Sequence, residues 1–234
     1  MSGALFLSRL TLKRSPEIAP LINTLQPKDA AGALATDHRL VWSVMPAEVQ
    51  RQRNTANQAG DRKSTMLWRR EGHGRYLVLG PRPDVSCLFD IESKPFAPVL
   101  RPGDRLRFLL RVNATVDRRL AGRAKIERRD IVMDLLHPIA TGQRAGQRDA
   151  LALKAATEWL GARAEAGGAR VNALAVEGYR VARLGKERSG ARIGVLDLIG
   201  MLEVVRPEAF LTRLEAGFGR AKAFGCGLML IRRA

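Results

Sequence analysis

The chain has 234 residues, of which 46% are hydrophobic, and this content is sufficient for packed cores and excludes a disordered tail. Forty lysines and arginines against 23 acidic residues give a formal charge of +17, which exceeds what solubility requires and indicates a polyanionic partner. Because we find no long apolar run, signal peptide or lipidation signal, the composition favours a nucleic acid over a membrane surface.

The first hundred residues contain a predicted strand, a helix and two shorter strands. Asp29 is a candidate N-cap of the helix and Pro46 its expected end. The polar run 50–65 has no apolar periodicity and predicts a flexible loop. The proline-containing run 94–104 marks a seam, so we expect a first domain over residues 1–97. The predicted elements are the helix 27–46 and the strands 4–14, 66–71 and 75–80.

The second expected domain, residues 98–234, begins with a strand at 104–113 in which apolar residues alternate with arginines. One face of this strand can be buried while the other is basic. The apolar positions are Leu106, Phe108, Leu110 and Val112, and the other face includes Arg105, Arg107 and Arg111. The later predicted elements are a helix that starts near 148 and ends near Gly167 and Gly168, a strand at 191–205, a helix at 206–219 with Pro207 near its start, and a strand at 228–233. Each half is typical of a compact unit of helices and strands.

The densest cationic stretch runs from Arg101 to Arg129, with ten lysines and arginines against three acidic residues. Such a run is usually a solvated face. Here it includes the arginine row of a strand and the run "DRRLAGRAKIERR", which we expect to project as a basic loop or helix. Together with the charge of the whole chain, the run favours phosphate binding.

Near the end of the chain, the stretch "GFGRAKAFGCGL" (217–228) contains four glycines and two cations. One interpretation is a helix C-cap at Gly217 followed by a turn. The other is a phosphate site in which glycines let backbone N–H groups approach closely while Arg220 and Lys222 add charge. The stretch matches neither a P-loop nor a dinucleotide-binding motif.

Few residues are candidates for acid–base chemistry. His38 lies on the apolar stripe of the predicted helix with Leu34 and Trp42, and on the residues alone a packing role is favoured. His73 and His137 lack neighbours that suggest a metal site, and no metal or other cofactor is expected. Cys87 and Cys226 lack the spacing of a zinc site or a disulfide framework, so we predict reduced, buried thiols in a cytoplasmic protein.

No Ser–His–Asp, HExxH or paired-carboxylate motif stands out. If the protein cuts RNA, the chemistry that remains is attack of an RNA 2′-hydroxyl on its own 3′-phosphate without a metal ion. That reaction needs a base, an acid for the leaving 5′-oxygen and cations for the phosphorane.

Three runs in the chain resemble CasE, the CRISPR RNA processing endoribonuclease of type I-E Cascade. They are "HRLVWSVMP" near the N-terminus, "LRFLLRVNATVDRR" in the middle and "IGMLEVVRPEAFLTRLEAGFGRAKAFGCGLMLI" near the C-terminus. The resemblance spans both halves in the same order, and the C-terminal run is its most specific part. It implies an α+β fold of two tandem ferredoxin-like domains. It also implies metal-independent cleavage of a CRISPR repeat at the 3′ base of a stem-loop.

The resemblance places the family's catalytic histidine on His38, with a role in proton transfer as acid or base. Some family members have a tyrosine three residues before that histidine, where this chain has Ala35. Either a nearby cation such as Arg39 then supplies the electrostatics, or cleavage by this chain is slow. The resemblance also implies that the protein stays on its mature guide RNA as a subunit of Cascade.

The resemblance further implies that the basic segment and the glycine-rich stretch bind the RNA hairpin. The expected RNA-binding residues are Arg39, Arg105, Arg107, Arg111, Arg118, Arg119, Arg123, Lys125, Arg128, Arg129, Gly217, Gly219, Arg220, Lys222, Gly225 and Gly227.

The alternative is a non-catalytic RNA-binding scaffold subunit of a ribonucleoprotein, in which His38 is only structural. Both hypotheses predict salt-dependent RNA binding, and cleavage that requires His38 separates them. A DNA-binding regulator is disfavoured because no helix-turn-helix emerges.

Overall fold

The computed structural model describes residues 4–27, 30–51, 66–119, 126–183 and 192–234. The chain divides into two compact units. The first comprises Met1–Pro98, Arg183–Ala191 and Lys222–Leu228, and the second comprises Val99–Ala182, Arg192–Ala221 and Met229–Ala234. The boundary expected at residue 97 remains a prediction. Lys222–Leu228 belongs to the first unit, although its place near the end of the chain put it in the second expected domain.

The first unit is a four-stranded antiparallel sheet with helices inserted after its first strand. The sheet has the order β2-β3-β1-β4, so the first and third strands are central and the fourth lies beside the first. This is the strand order of a ferredoxin-like fold. Its elements are β1 (Phe6–Leu12), α1 (Ile22–Leu25), α2 (Ala30–Ser43), β2 (Leu67–Gly72), β3 (Arg75–Gly80), β4 (Phe89–Pro95) and the 3₁₀ turns Ala19–Leu21 and Lys222–Phe224.

The core of the first unit forms where α2 packs on one face of the sheet. Leu40 and Val41 near the end of α2, and Val44 directly after it, recur at helical spacing and are buried. They belong to one apolar cluster with Trp68 and Tyr76 from β2 and β3. This packing fixes α2 on the sheet and therefore fixes the position of every residue along it.

The second unit repeats the same strand order. Its sheet has the order β10-β5-β9-β8, so the first and third of these four strands in chain order, β5 and β9, are in the centre, and β6 and β7 form a separate two-stranded ribbon. The predicted α+β class with two ferredoxin-like units is thereby confirmed. The elements are β5 (Arg105–Val112), β6 (Thr115–Arg119), β7 (Ile126–Asp130), α3 (Ile131–Leu136), the 3₁₀ turn Thr141–Gln143, α4 (Arg144–Ala166), β8 (Ala169–Arg183), β9 (Arg192–Val204), α5 (Pro207–Ala216) and β10 (Met229–Arg233).

Several local predictions in the second unit are confirmed. Every second residue of β5 is buried, as its alternation predicts. Helix α5 has a proline at its start and Gly217 as its C-cap, and α4 ends with Gly167 as its C-cap.

Other predictions need correction. The basic run after β5 is neither a loop nor a helix over its described part, because Thr115–Arg119 pairs antiparallel with Ile126–Asp130. The strands β4 and β8 were not predicted. Cys226 is buried as expected, whereas Cys87 is exposed. The predicted N-cap Asp29 and positions 52–65 of the predicted loop lie outside the described residues.

Over the ranges that the structure covers, no helix is both long and apolar enough to cross a membrane.

Candidate functional site

His38 lies on α2 at the margin of its buried face. Over the part of this helix for which burial is described, residues 32–43, the buried positions are Asp37, Leu40 and Val41, and His38 itself is half-buried. The stripe predicted from Leu34, His38 and Trp42 is therefore one residue out of register with the true core stripe. Because of that offset, the imidazole lies at the rim of the core.

The imidazole of His38 is held by the backbone of the glycine-rich stretch. Its Nδ1 lies 2.7 Å from the carbonyl oxygen of Ala223, within the 3₁₀ turn Lys222–Phe224. A carbonyl oxygen only accepts hydrogen bonds, so Nδ1 carries the proton. The neutral ring is thus the tautomer whose lone pair is on Nε2.

Two aromatic rings flank this imidazole. The ring centroids of Trp42 and Phe224 each lie 6.2 Å from that of His38. Trp42 follows one helical turn after His38 on α2, and Phe224 follows the carbonyl-bearing Ala223. The histidine therefore has an apolar setting on two sides as well as a fixed hydrogen bond.

The residue before His38 is a buried acid. Asp37 is 4% exposed and accepts a 2.5 Å hydrogen bond from the hydroxyl of Tyr76 and a 3.2 Å bond from Nη1 of Arg70. Burial raises the pKa of Asp37, against the opposing effects of Tyr76 and Arg70. Burial and the nearby carboxylate also raise the pKa of Tyr76. This group ties α2 to β2 and β3 beside His38.

Arg39 is exposed, and its Nε donates a 3.3 Å hydrogen bond to the carbonyl oxygen of Ala35. The guanidinium therefore lies over the turn of α2 that contains Ala35. Arg39 therefore carries an exposed positive charge one residue after His38 on the same helix.

The first part of the glycine-rich stretch belongs to the second unit. Gly217 is the buried C-cap of α5. A side chain at Gly219, whose φ is +67°, would lie 2.6 Å from both the carbonyl oxygen of Asn113 and a methyl group of Val112, so only glycine fits there. Arg220 is exposed, and its N–H donates to the Asn113 carbonyl at 3.0 Å.

The second part of the stretch belongs to the first unit, next to His38. Lys222 is half-buried, whereas Gly225 and Gly227 are buried. The structure thus brings one portion of the predicted RNA-binding set, residues 222–227, together with the predicted catalytic histidine.

The arginines of β5 lie on the sheet face opposite the helices. Arg105 and Arg107 are exposed, and Arg107 is paired in register with Arg232 of β10. Arg111 instead binds Asp197 of β9 with Nε–Oδ1 and Nη2–Oδ2 distances of 2.6 and 3.2 Å, and Asp197 also accepts from Arg180 at 2.7 Å. Burial opposes ionisation of Asp197, but the two guanidiniums outweigh it and lower its pKa.

The ribbon β6–β7 carries most of the other predicted RNA-binding arginines. Arg118 pairs with Asp134 at 2.6 Å, Arg128 with Asp117 at 2.8 Å and Arg129 with Glu127 at 2.9 Å. Arg119 is exposed. Arg123 and Lys125 lie outside the described residues.

The remaining histidines have structural surroundings. His73 lies in the β2–β3 turn near Arg70, and the backbone of His137 caps α3 and accepts from Arg144. Within the described part of the chain, no group of three or more His, Cys, Asp or Glu side chains is arranged to hold a metal ion.

Sequence reasoning missed the residues that support His38. Asp37 had a detectable signal, because it shares the i, i+3, i+4, i+7 spacing of Leu40, Val41 and Val44. A charged residue on a buried stripe needs partners and is a candidate for a functional setting. The role of Ala223 had no such signal, because it acts through its backbone carbonyl.

Comparison with known proteins agrees with this architecture. The family described as CRISPR associated protein matches residues 5–233. The chain is 34% identical over 173 residues to the CRISPR-associated endoribonuclease Cse3 of Thermus thermophilus, which spans 64% of this chain and 68% of that relative.

Solved structures extend the likeness over nearly the whole chain. A structure of CRISPR endoribonuclease Cse3 bound to a 19-nucleotide RNA has a TM-score of 0.65 at 26% identity and covers 99% of this chain and 100% of its own. A chain of a CRISPR RNA-guided surveillance complex shares the fold, with a TM-score of 0.57, 15% identity and coverage of 98% and 100%. This chain belongs to the CRISPR-associated protein family, in its CasE (Cse3) group.

Proposed function

We propose that this chain is a metal-independent endoribonuclease that cleaves precursor CRISPR RNA within the repeat, at the 3′ base of a stem-loop. Its relative Cse3 is named an endoribonuclease, and a similar Cse3 structure contains bound RNA. The single observation that carries the proposal is the 2.7 Å bond between His38 Nδ1 and the Ala223 carbonyl. A histidine fixed in one tautomer at the rim of the core is suited to proton transfer.

The reaction is an internal transesterification. The 2′-oxygen forms a bond to the adjacent phosphorus, the bond from phosphorus to the 5′-oxygen breaks, and the products carry a 2′,3′-cyclic phosphate and a 5′-hydroxyl. One proton leaves the 2′-hydroxyl and another reaches the 5′-oxygen. His38 transfers one of these protons through Nε2, as base when neutral or as acid when protonated. Water accepts or donates the other proton.

Positive charge stabilises the phosphorane that forms during this step. Arg39 is the candidate nearest to His38 along α2, and its guanidinium lies over the turn of Ala35. Its charge would compensate for Ala35, the position where some family members have a tyrosine.

The basic second unit binds the phosphates of the RNA. Arg105, Arg107, Arg119 and Arg220 are exposed, and their charge suits the phosphates of an RNA hairpin. Arginines that are already paired with Asp117, Glu127 or Asp134 can exchange a carboxylate for a phosphate. After cleavage the protein stays on the mature guide RNA as a cytoplasmic Cascade subunit.

The test is incubation of the purified protein with its cognate repeat RNA in EDTA. Wild type and His38→Ala are compared, with His137→Ala as a matched control because His137 is an exposed histidine in the other unit. Single-site cutting by wild type and His137→Ala, lost in His38→Ala while RNA binding persists, supports the proposal. Tight binding without cutting by wild type would leave the RNA-binding scaffold as the function.

A further inference from the structure

We propose that Gly225 is a positioning residue for proton transfer. Through the turn Lys222–Phe224 it holds the Ala223 carbonyl on Nδ1 of His38 and so keeps the ring in one tautomer. This inference rests on the proposed function, in which His38 transfers the proton. It gives the end of the glycine-rich stretch a role different from the phosphate contact predicted from its sequence.

The carbonyl determines which nitrogen of His38 reacts. In the neutral ring the proton is on Nδ1 and the lone pair is on Nε2, and in the protonated ring Nδ1 still donates to the Ala223 oxygen. The same atom, Nε2, therefore takes or gives the proton in either direction. The ring does not have to flip between the two states.

Gly225 sets the position of this carbonyl. Its N–H donates to the carbonyl oxygen of Lys222 at 3.3 Å and closes the turn that contains Ala223. Its φ is +76°, and a Cβ at this residue would lie 3.0, 3.2 and 3.3 Å from three atoms of the six-membered ring of Trp68. Trp68 is 1% exposed and belongs to the core, so it cannot retreat. A side chain at 225 therefore displaces the turn away from Trp68 and shifts the Ala223 oxygen.

The same segment is poorly suited to hold a phosphate. A backbone phosphate site presents several N–H groups to solvent. Gly225, Cys226 and Gly227 are all buried, and the Gly225 N–H already donates to Lys222. Their burial indicates that these glycines serve close packing.

The experiment uses Gly225→Ala, with Gly103→Ala as its control. Gly103 also has a positive φ, of +87°, but a Cβ there has no atom within 4 Å, so its replacement measures the backbone cost alone. Three quantities are measured: the His38 tautomer by ¹⁵N-histidine NMR, the single-turnover cleavage rate, and the binding of a repeat RNA made uncleavable by a 2′-deoxy substitution.

We expect wild type and Gly103→Ala to show only the tautomer with the proton on Nδ1. Gly225→Ala is expected to show a mixture of tautomers and a cleavage rate lower by about 100-fold, since small displacements of a catalytic group have that effect. Its RNA binding is expected to be unchanged. Weakened RNA binding with the wild-type tautomer retained would overturn the proposal in favour of phosphate contact.

Two further measurements, on other forms of the protein, test the proposal if Gly225→Ala does not fold. Trp68→Phe removes the ring atoms against which Gly225 packs, and it is expected to change tautomer and rate in the same direction by a smaller factor. A wild-type spectrum with mixed tautomers would by itself contradict the proposal. The NMR measurement does not depend on cleavage, so it separates the two proposals. If the wild-type protein shows one fixed tautomer but does not cut RNA, the proposed nuclease function is wrong while the contact between Ala223 and His38 is retained.

Discussion

The hydroxyl of Tyr76 on β3 donates a 2.5 Å hydrogen bond to Oδ1 of Asp37 on α2, the residue immediately before His38. Arg70 binds the other oxygen of the same carboxylate. A buried acid with two fixed partners ties α2 to the sheet at the point where its exposed edge carries the candidate catalytic histidine. The position of His38 therefore depends on side chains that do not themselves react.

Replacement of Tyr76 by Phe tests this anchor. The change leaves the ring in the core and removes one partner of a buried carboxylate, so we expect the free energy of unfolding to fall by about 1–3 kcal/mol. Urea denaturation measures it. Glu92→Gln is the comparison, because Glu92 pairs with Arg9 at a site where the two side chains are 72% and 59% exposed, and an exposed pair contributes about 0–1 kcal/mol. Equal effects of the two changes would contradict the anchor.

The buried acid also predicts a pH dependence. Burial raises the pKa of Asp37 above its ordinary value of 3.8, so the folded state holds this proton more tightly than the unfolded state. The contribution of Asp37 to stability is therefore greatest at or below pH 3.8 and decreases as the pH rises through the folded-state pKa. In Asp37→Asn this decrease is expected to vanish. Denaturation curves of wild type and Asp37→Asn across acidic and neutral pH measure this decrease. If the stability of wild type relative to Asp37→Asn instead rises with pH, the interactions with Tyr76 and Arg70 outweigh burial.

The arginine row of β5 predicts a specific salt dependence. Arg107 is exposed and faces Arg232 across the sheet, so an RNA phosphate relieves like-charge repulsion there. For Arg107→Gln we expect weaker binding to every RNA sequence and a slope of log affinity against log salt reduced by about 0.7–0.9. Lys154→Gln, at an exposed position of α4, removes the same charge and is expected to leave the slope unchanged. Identical slopes for both variants would show that Arg107 does not contact an RNA phosphate.

Arg39 is predicted to stabilise the phosphorane rather than to bind the ground state. Arg39→Gln should lower the single-turnover cleavage rate by about 100-fold with little change in RNA affinity. Arg39→Lys keeps the charge and should recover part of the rate. A loss of affinity that matches the loss of rate would assign Arg39 to RNA binding alone.

Much of the fold followed from local patterns. The alternation in β5, the proline at the start of α5 and the glycine C-caps of α4 and α5 depend on a few adjacent residues, and each was predicted. The edge strands β4 and β8 were not, since both alternate only weakly between buried and exposed positions. The ribbon β6–β7 was missed because its arginines and acids hide the strand pattern.

The candidate site was less accessible to sequence. His38 was identified through resemblance, and on its own pattern it was favoured as a packing residue. Its main partner is a carbonyl 185 residues away in the chain, and a backbone group leaves no signature in residue type. Gly225 was noticed, but its contact with Trp68 depends on tertiary packing that no local pattern contains.

The most direct test of the account is a single-turnover reaction in EDTA on two repeat RNAs that differ only in the 2′-position at the cut site, hydroxyl in one and hydrogen in the other. Product ends are identified by mass spectrometry. We predict that only the hydroxyl RNA is cut, that its products carry a 2′,3′-cyclic phosphate and a 5′-hydroxyl, and that His38→Ala binds this RNA without cutting it. Cleavage of the deoxy RNA, or wild-type activity in His38→Ala, would contradict 2′-hydroxyl attack assisted by His38.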